Sequence, residues 1–379
     1  MTTHSLIATE FPASTDLIYL NHAAVAPWPK RTADAVCSFA RENYTQGAKA
    51  YPRWLEIEQQ TRVQLAQLIN APGPDDIALL KNTSEGLSQI AYGLDWQAGD
   101  NIVISDEEFP SNRVVWQSLA PFGVEVREIS LHGRLSPEQA LLAATDARTR
   151  LLSISSVQYA SGLRMDLQIL GQHCRQHDIL FCIDAIQSLG AIVFDAQACH
   201  ADFVVADGHK WMLGPEGVAL FYVRPEIRST LKLHEYGWHM LEHSGDYQRK
   251  DWGVAATARR FECGSANMLG IHALHASLSL LLEIGIDEVE AAILERSCYL
   301  IDLIHQAPEL QLLSNEAPDR IAGIVSFAHT DTAPAQLHQQ LMQHNVVCAA
   351  RGAGVRFSPH FYSPLPQLAE AVNLARLTR

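Results

Sequence analysis

The sequence has no cysteine pair of CxxC spacing, no unbroken apolar run of membrane-spanning length, no GxxxxGK[ST] loop and no surplus of basic residues. Each absence excludes something. The seven cysteines (Cys37, Cys174, Cys182, Cys199, Cys263, Cys298, Cys348) are scattered and odd in number. That argues against a disulfide frame or a zinc knuckle and predicts reduced thiols in the cytoplasm. Without about 20 consecutive apolar residues, no membrane span is expected. Met1 to Phe11 has neither a basic start nor a long apolar centre, so no secretory signal is expected. With 28 basic against 42 acidic residues the formal net charge is −14. Nucleic acid and anionic membranes are therefore poor candidates for the main partner, because phosphate binding needs a basic face. One local basic pocket for a small anion stays open. The missing phosphate loop leaves nucleotide phosphoryl transfer unsupported. No internal repeat or low-complexity segment is present.

What is present is an ordinary globular composition. The 379 residues are 47% apolar and 18% charged, enough chain for two or three domains without covalent staples. Residues 51–70 carry helical periodicity. Short apolar runs then alternate with longer amphipathic stretches. Strands are expected at 77–80, 101–104, 124–129, 150–155, 179–183, 203–206 and 218–223, with helices at 85–94, 111–120, 137–144 and 167–177 between them. Such alternation predicts βαβ units and a mainly parallel central sheet covered by helices on both faces, which also explains why the strands are near-continuous apolar runs. The second half reads differently. Helices at 271–284 and 288–305 precede a strand at 324–327, a helix at 333–344, strands at 346–348 and 355–358, and a last helix at 367–377. The expected division is a large α/β domain over 17–260 and a smaller α+β domain built from 1–16 and 261–379, although no Pro/Gly linker marks the boundary.

Open α/β sheets bind ligands where their strands end. Three strand ends carry chemistry. After the first strand, Lys81-Asn82-Thr83-Ser84-Glu85-Gly86 opens a helix, whose free N–H groups and hydroxyls make an anion site. Taken alone this motif reads more simply as a plain N-cap. Asp184 directly follows a buried strand, and a buried carboxylate needs a partner, such as a protonated pyridine nitrogen. A cap on the next helix would explain it equally well. Asp207-Gly208-His209-Lys210-Trp211 follows another strand and precedes Gly214-Pro215-Glu216-Gly217. A lysine in a partly desolvated strand-end loop can lose its proton and attack a carbonyl, although most lysines are surface groups.

In this order and spacing, the anion-binding helix start, the strand-end Asp184 with Gln187 three residues on, and the strand-end His209-Lys210 pair resemble fold-type-I pyridoxal-phosphate enzymes. More narrowly they resemble the aminotransferase class V family, which includes cysteine desulfurases, selenocysteine lyases and isopenicillin N epimerase-like proteins. The resemblance runs from Tyr19-Leu20-Asn21-His22-Ala23-Ala24 to Arg356-Phe357-Ser358-Pro359-His360. It implies pyridoxal 5'-phosphate as cofactor, held by Lys210 as a Schiff base, with Lys210 then shuttling the α-proton. His209 and Ser84 or Thr83 would bind the phosphate, Asp184 would keep the ring nitrogen protonated, and Gln187 would meet the ring hydroxyl. Phe109 is the candidate to stack on the ring, and Gln158 or Tyr159 would line its other side. Arg356 would clamp the α-carboxylate of the amino-acid substrate, with Asn21 and Ala24 beside it. Ser265 would reach the site of a neighbouring subunit, implying a homodimer.

The sequence departs from the family pattern in three places. Asp207 stands where Ser or Thr is common. Near a phosphate it should point away or bond to backbone. Arg351 is followed by Gly352-Ala353-Gly354, not by a mobile sulfur-accepting cysteine, and Cys348 reads as a small buried group. Phe109 replaces a stacking histidine. Other features stay outside this scheme. His173 and His177, four apart on a helix, lack the Glu of a metalloprotease motif, so no metal is expected. His272 and His275 read as core or interface groups. The segment 232–243, rich in His, Tyr and Trp, reads as a surface or dimer-contact stretch, with a lid as the alternative. The favoured function is desulfurase-like action or C–S β-lysis on an amino acid. An aminotransferase is the close rival, an epimerase comes third, and a non-catalytic binding protein is the alternative from another class.

Overall fold

The computed structural model describes residues 3–12 and 16–377. The expected lack of a leader bears partly on Met1 and Thr2. The small domain as delimited above includes 1–2, 13–15 and 378–379. Those seven residues lie outside the described ones.

Seven strands form one sheet in the spatial order Ile77–Leu80, Ala219–Val223, Phe203–Asp207, Leu180–Asp184, Thr149–Ser155, Asn101–Ser105, Glu125–Ile129. The last five are mutually parallel. Ala219–Val223 runs antiparallel to both of its neighbours. The mainly parallel sheet thus has the expected strands, each within one or two residues. The single reversal follows from the short link 208–218, because an antiparallel neighbour needs no helical crossover. The inner strands are buried along almost their whole length. Helices cover both faces, so these strands need no polar alternation. Glu125–Ile129 lies at the edge and carries Glu125, Arg127 and Glu128, charges that discourage pairing with another chain.

Helix starts are set by side-chain caps. Asn82 accepts from the Glu85 N–H at 2.9 Å and starts Thr83–Gly93. Asp166 accepts from Gln168 and Ile169 and starts Leu167–Gln176. The helix Lys30–Gln46 has no counterpart among the expected elements. Only Thr32 within it is buried, so it lacks the wide apolar stripe that marks a core-facing helix. It packs instead on Met268–Ile284.

A second sheet of four antiparallel strands, in the order Ala349–Arg351, Gly354–Phe357, Val325–His329, Leu310–Leu312, builds the smaller unit. Ile18–Tyr19 pairs with Val346–Val347, and Ile18 and Leu20 join Phe327, Leu341 and Phe357 in that unit's core. Ile271, Leu274 and Leu278 pack with the large sheet. The chain then bends by 84° at Gly285, and Leu300, Ile301 and Ile304 pack with the small one. Between them, Leu281, Val289 and Ile293 share a cluster with Trp211 and Ala191, so packing passes from the large sheet to the small one along the second helix. Among the described residues no single helix is long and apolar enough to cross a membrane.

Candidate active site

A cleft of about 240 Å³ opens where the parallel strands end, between the large sheet and the hairpin of the small one. Lys210, Asp184, His209, Gln187, Thr83, Ser84, Phe109, Tyr159, Ala24 and Arg356 all border it. Residues far apart in sequence meet here because each sits just at or beyond a strand end, where side chains leave the sheet.

Asp184 ends its strand and is 2% exposed. The Ile186 N–H donates to its Oδ1 at 3.1 Å. Burial raises its pKa most. The Ile186 N–H and the Lys210 charge pull it back, and the charge of Glu108 adds to the rise. Asp184 thus lacks a cation strong enough to offset its desolvation.

Lys210 is 8% exposed, and burial lowers its amine to about 8 against the pull of Asp184. Its loop is held rigidly. The Leu213 N–H donates to the Lys210 carbonyl at 3.0 Å, and buried Leu213 adopts a left-handed φ of +59°. Trp211 is fully buried, and its indole N–H donates to Gln187 Oε1 at 2.8 Å. Gly190 lets this loop approach. Its φ is +90°, and a Cβ there would lie 2.3 Å from the Trp211 carbonyl oxygen. Gln187 also donates through Nε2 to the Ala23 carbonyl at 3.0 Å, leaving one amide N–H.

Thr83 and Ser84 are the first residues of their helix, whose N-terminal N–H groups lack intrahelical partners. The Thr83 hydroxyl is buried without a hydrogen-bond partner. Ser84 Oγ donates to Ser111 Oγ at 2.8 Å. The expectation that Asp207 turns away is corrected. Asp207 borders the cleft, and its Oδ1 lies 3.0 Å from His209 Nδ1. The contact is electrostatic and not an aligned hydrogen bond.

Phe109 presents a ring that is 41% exposed, stands edge-on to Tyr159 at 5.2 Å, and lies 5.6 Å below Lys210 Nζ. Of the two candidates for the opposite wall, Tyr159 borders the cleft. Gln158 is fully buried and donates to Glu108 at 3.1 Å. Glu108 was not among the expected site residues. It also accepts from Ser105 Oγ, Asn112 Nδ2 and the Ser155 N–H, and so fixes the loop that carries Phe109. Nothing in the sequence separates it from Glu107, because Ser155 and Gln158, which also donate to it, lie far along the chain.

Arg356 is 1% exposed, yet among the described residues it forms no ion pair. Nη1 donates to the Tyr159 carbonyl at 2.6 Å, Nη2 lies 3.5 Å from Asn21 Oδ1, and Nε has no partner. Burial first, and then the charge of Arg351, press its pKa down. A buried guanidinium this short of anions has the geometry to accept a carboxylate. Ser265 is exposed and lies in a separate depression with Lys81, Glu85 and Cys263, away from the cleft of its own chain.

The chain is 32% identical over 327 residues to a cysteine desulfurase of Salmonella choleraesuis, covering 82% of this chain and 77% of that protein. It is 29% identical over 353 residues to a probable cysteine desulfurase of Methanothermobacter thermautotrophicus, covering 91% and 86%. The fold matches the apo structure of a cysteine desulfurase from Thermococcus onnurineus, with a TM-score of 0.88 and 23% identity over 100% of this chain and 98% of that one. It also matches the cystine C-S lyase C-DES in complex with cysteine persulfide, with a TM-score of 0.90 and 24% identity over 97% and 99%. The family model described as aminotransferase class-V matches residues 18–364, and the chain belongs to that family.

Proposed function

We propose that this protein is a pyridoxal-phosphate enzyme that cleaves the C–S bond β to the amino group of an L-amino acid, releasing the sulfur as a small molecule. One observation carries the reading. A buried amine, a buried carboxylate and a buried guanidinium without an anion border a single cleft.

The donor set fits the cofactor. Asp184, destabilised by burial, suits a cationic ring nitrogen. The partnerless Thr83 hydroxyl and the free N–H groups of its helix suit a phosphate, with His209 beside them. The spare Gln187 N–H suits the ring hydroxyl, and the exposed Phe109 ring offers a stacking face. Pyridoxal phosphate, when bound, supplies an electron sink for charge left on the substrate Cα.

The protein's own groups then do the following. Arg356 holds the α-carboxylate and so fixes how the Cα–H bond points. Lys210, neutral in a larger fraction than an exposed lysine, takes the Cα proton. Asp184 holds a proton at the ring nitrogen. The electron pair from the broken C–H bond expels the β-sulfur as a thiolate. The aminoacrylate left over yields pyruvate and ammonia with water.

Release of free sulfur is favoured over transfer to a protein thiol. None of the seven cysteines borders the cleft, and Cys174, Cys182, Cys199 and Cys348 are buried. Cys348, the nearest in sequence to Arg351, sits in the small core with its thiol pushed up to about 12 by burial. We further infer a cytoplasmic homodimer, on the reduced cysteines and on the outward Ser265, which would serve the partner's phosphate. Light scattering on the purified protein tests the dimer, which a monomeric mass would overturn. The test of function is to incubate the protein with a panel of amino acids and assay sulfide, pyruvate and new keto acid separately. Sulfide and pyruvate formed together support the lyase. New keto acid made only in the presence of an amino acceptor would replace it with a transaminase.

A further inference from the structure

Arg356 is not the only guanidinium in the cleft. Arg351 borders it too. The two sit on the strands of one hairpin, Ala349–Arg351 and Gly354–Phe357, turned at Gly352 with φ +54°. Ala349 pairs with Arg356, and Arg351 lies two residues beyond Ala349. Directly paired residues share a face, as do residues two apart along a strand. Arg351 and Arg356 therefore project from the same side of the hairpin as diagonal neighbours, with bases about 7–8 Å apart.

Among the described residues no acidic group pairs with Arg351. Its one hydrogen bond runs from Nη1 to the adjacent Ala350 carbonyl at 2.9 Å. Its charge instead weighs against the protonated forms of Lys210 and Arg356. The cleft thus holds three neighbouring cations, Lys210, Arg351 and Arg356. Of the two carboxylates that line the cleft, Asp184 and Asp207 both act on Lys210, and neither forms an ion pair with Arg351 or Arg356. The α-carboxylate of a substrate satisfies one guanidinium and leaves the other.

We propose that Arg351 is a specificity-determining residue that binds a second anion on the substrate, so that the preferred substrate is an amino acid whose side chain ends in a carboxylate. This rests on the reading of Arg356 and Lys210 given above and adds the class of side chain beyond the sulfur. A rigid two-strand hairpin holding two guanidiniums at fixed separation selects a ligand with two carboxylates over one with a single carboxylate and a neutral tip.

The test uses the holoenzyme and a matched pair of ligands, S-carboxymethyl-L-cysteine and its side-chain amide. Calorimetric binding is measured alongside pyruvate formation. The acid is expected to bind about tenfold or more tightly than the amide, the gain of one charge-assisted contact. Arg351→Gln is expected to collapse that ratio to near one, and Arg351→Lys to restore part of it. Equal binding of acid and amide by the native enzyme would overturn the proposal. So would a ratio that survives Arg351→Gln, an equal loss for both ligands, or a loss confined to pyridoxal phosphate. If the acid is preferred but no pyruvate forms, the lyase reading fails while the role of Arg351 stands. A protein that takes up no pyridoxal phosphate overturns both.

Discussion

Replacing Arg356 separates the cost of carrying a buried cation from its use. In the substrate-free protein Arg356 is 1% exposed, has no ion-pair partner among the described residues and leaves Nε unbonded. In the proposed role it would bind a carboxylate by two prongs. A hydrogen bond to a charged group contributes about 1.5–3 kcal/mol, and truncating one side of a desolvated charge pair costs about 2–5 kcal/mol. Arg356→Gln should therefore weaken amino-acid binding by about a hundredfold to a thousandfold, since about 1.4 kcal/mol is a factor of ten. Arg356→Lys keeps the charge but loses the second prong, and should lose about ten- to a hundredfold. The substrate-free variant should not be less stable by more than the hydrogen bond to Tyr159, about 1 kcal/mol. Titrating each variant with a sulfur amino acid by calorimetry, with melting curves recorded in parallel, checks both halves. Arg356→Gln binding as tightly as the native protein would refute the carboxylate role. A collapse in melting temperature would show that the residue is structural.

Four further outcomes follow from the same geometry. Colour formation by cofactor-free protein mixed with pyridoxal phosphate should speed up with pH and level off above about 8, because Lys210 attacks only when neutral and burial has lowered its pKa to about 8. A rate still climbing toward pH 10.5 would argue against it. By the same shift, Lys210 costs the cofactor-free fold stability as pH falls from the ordinary lysine range through about 8, and the cost is constant below that. Thr83→Ala should weaken pyridoxal-phosphate binding by about tenfold, read by equilibrium dialysis, since it removes a buried hydroxyl that has no other partner. Gly190→Ala should lower unfolding stability in urea by about 2–4 kcal/mol, from a positive φ and a Cβ driven against the Trp211 carbonyl. A neutral effect would mean that the loop can move.

The sheet was legible in the sequence because burial on both faces writes each strand as an apolar run, and the chemistry sits where those runs stop. Lys210, Asp184 and Thr83 were found that way. Arg356 was found only by resemblance, since an arginine inside a strand reads as an edge residue until its burial is seen. Glu108 stayed hidden because Ser155 and Gln158, two of its donors, come from a distant strand end, and one-dimensional spacing does not show which strands are adjacent. His209 stands only two residues from Asp207, but spacing alone does not show which way the two side chains turn. Lys30–Gln46 escaped because its partner, Met268–Ile284, supplies most of the apolar surface of that contact. Arg351 was noticed for the cysteine that does not follow it. Its own significance came from the hairpin register, which sets it beside Arg356.

The account rests on one buried amine. Of the six lysines in the chain, Lys30, Lys49, Lys81, Lys232 and Lys250 are exposed, and Lys210 is not. Borohydride reduction of the protein with pyridoxal phosphate, followed by peptide mass mapping, should place a single phosphopyridoxyl group on Lys210 in every copy. A label spread over the exposed lysines, or a Lys210 peptide recovered unmodified, would contradict it.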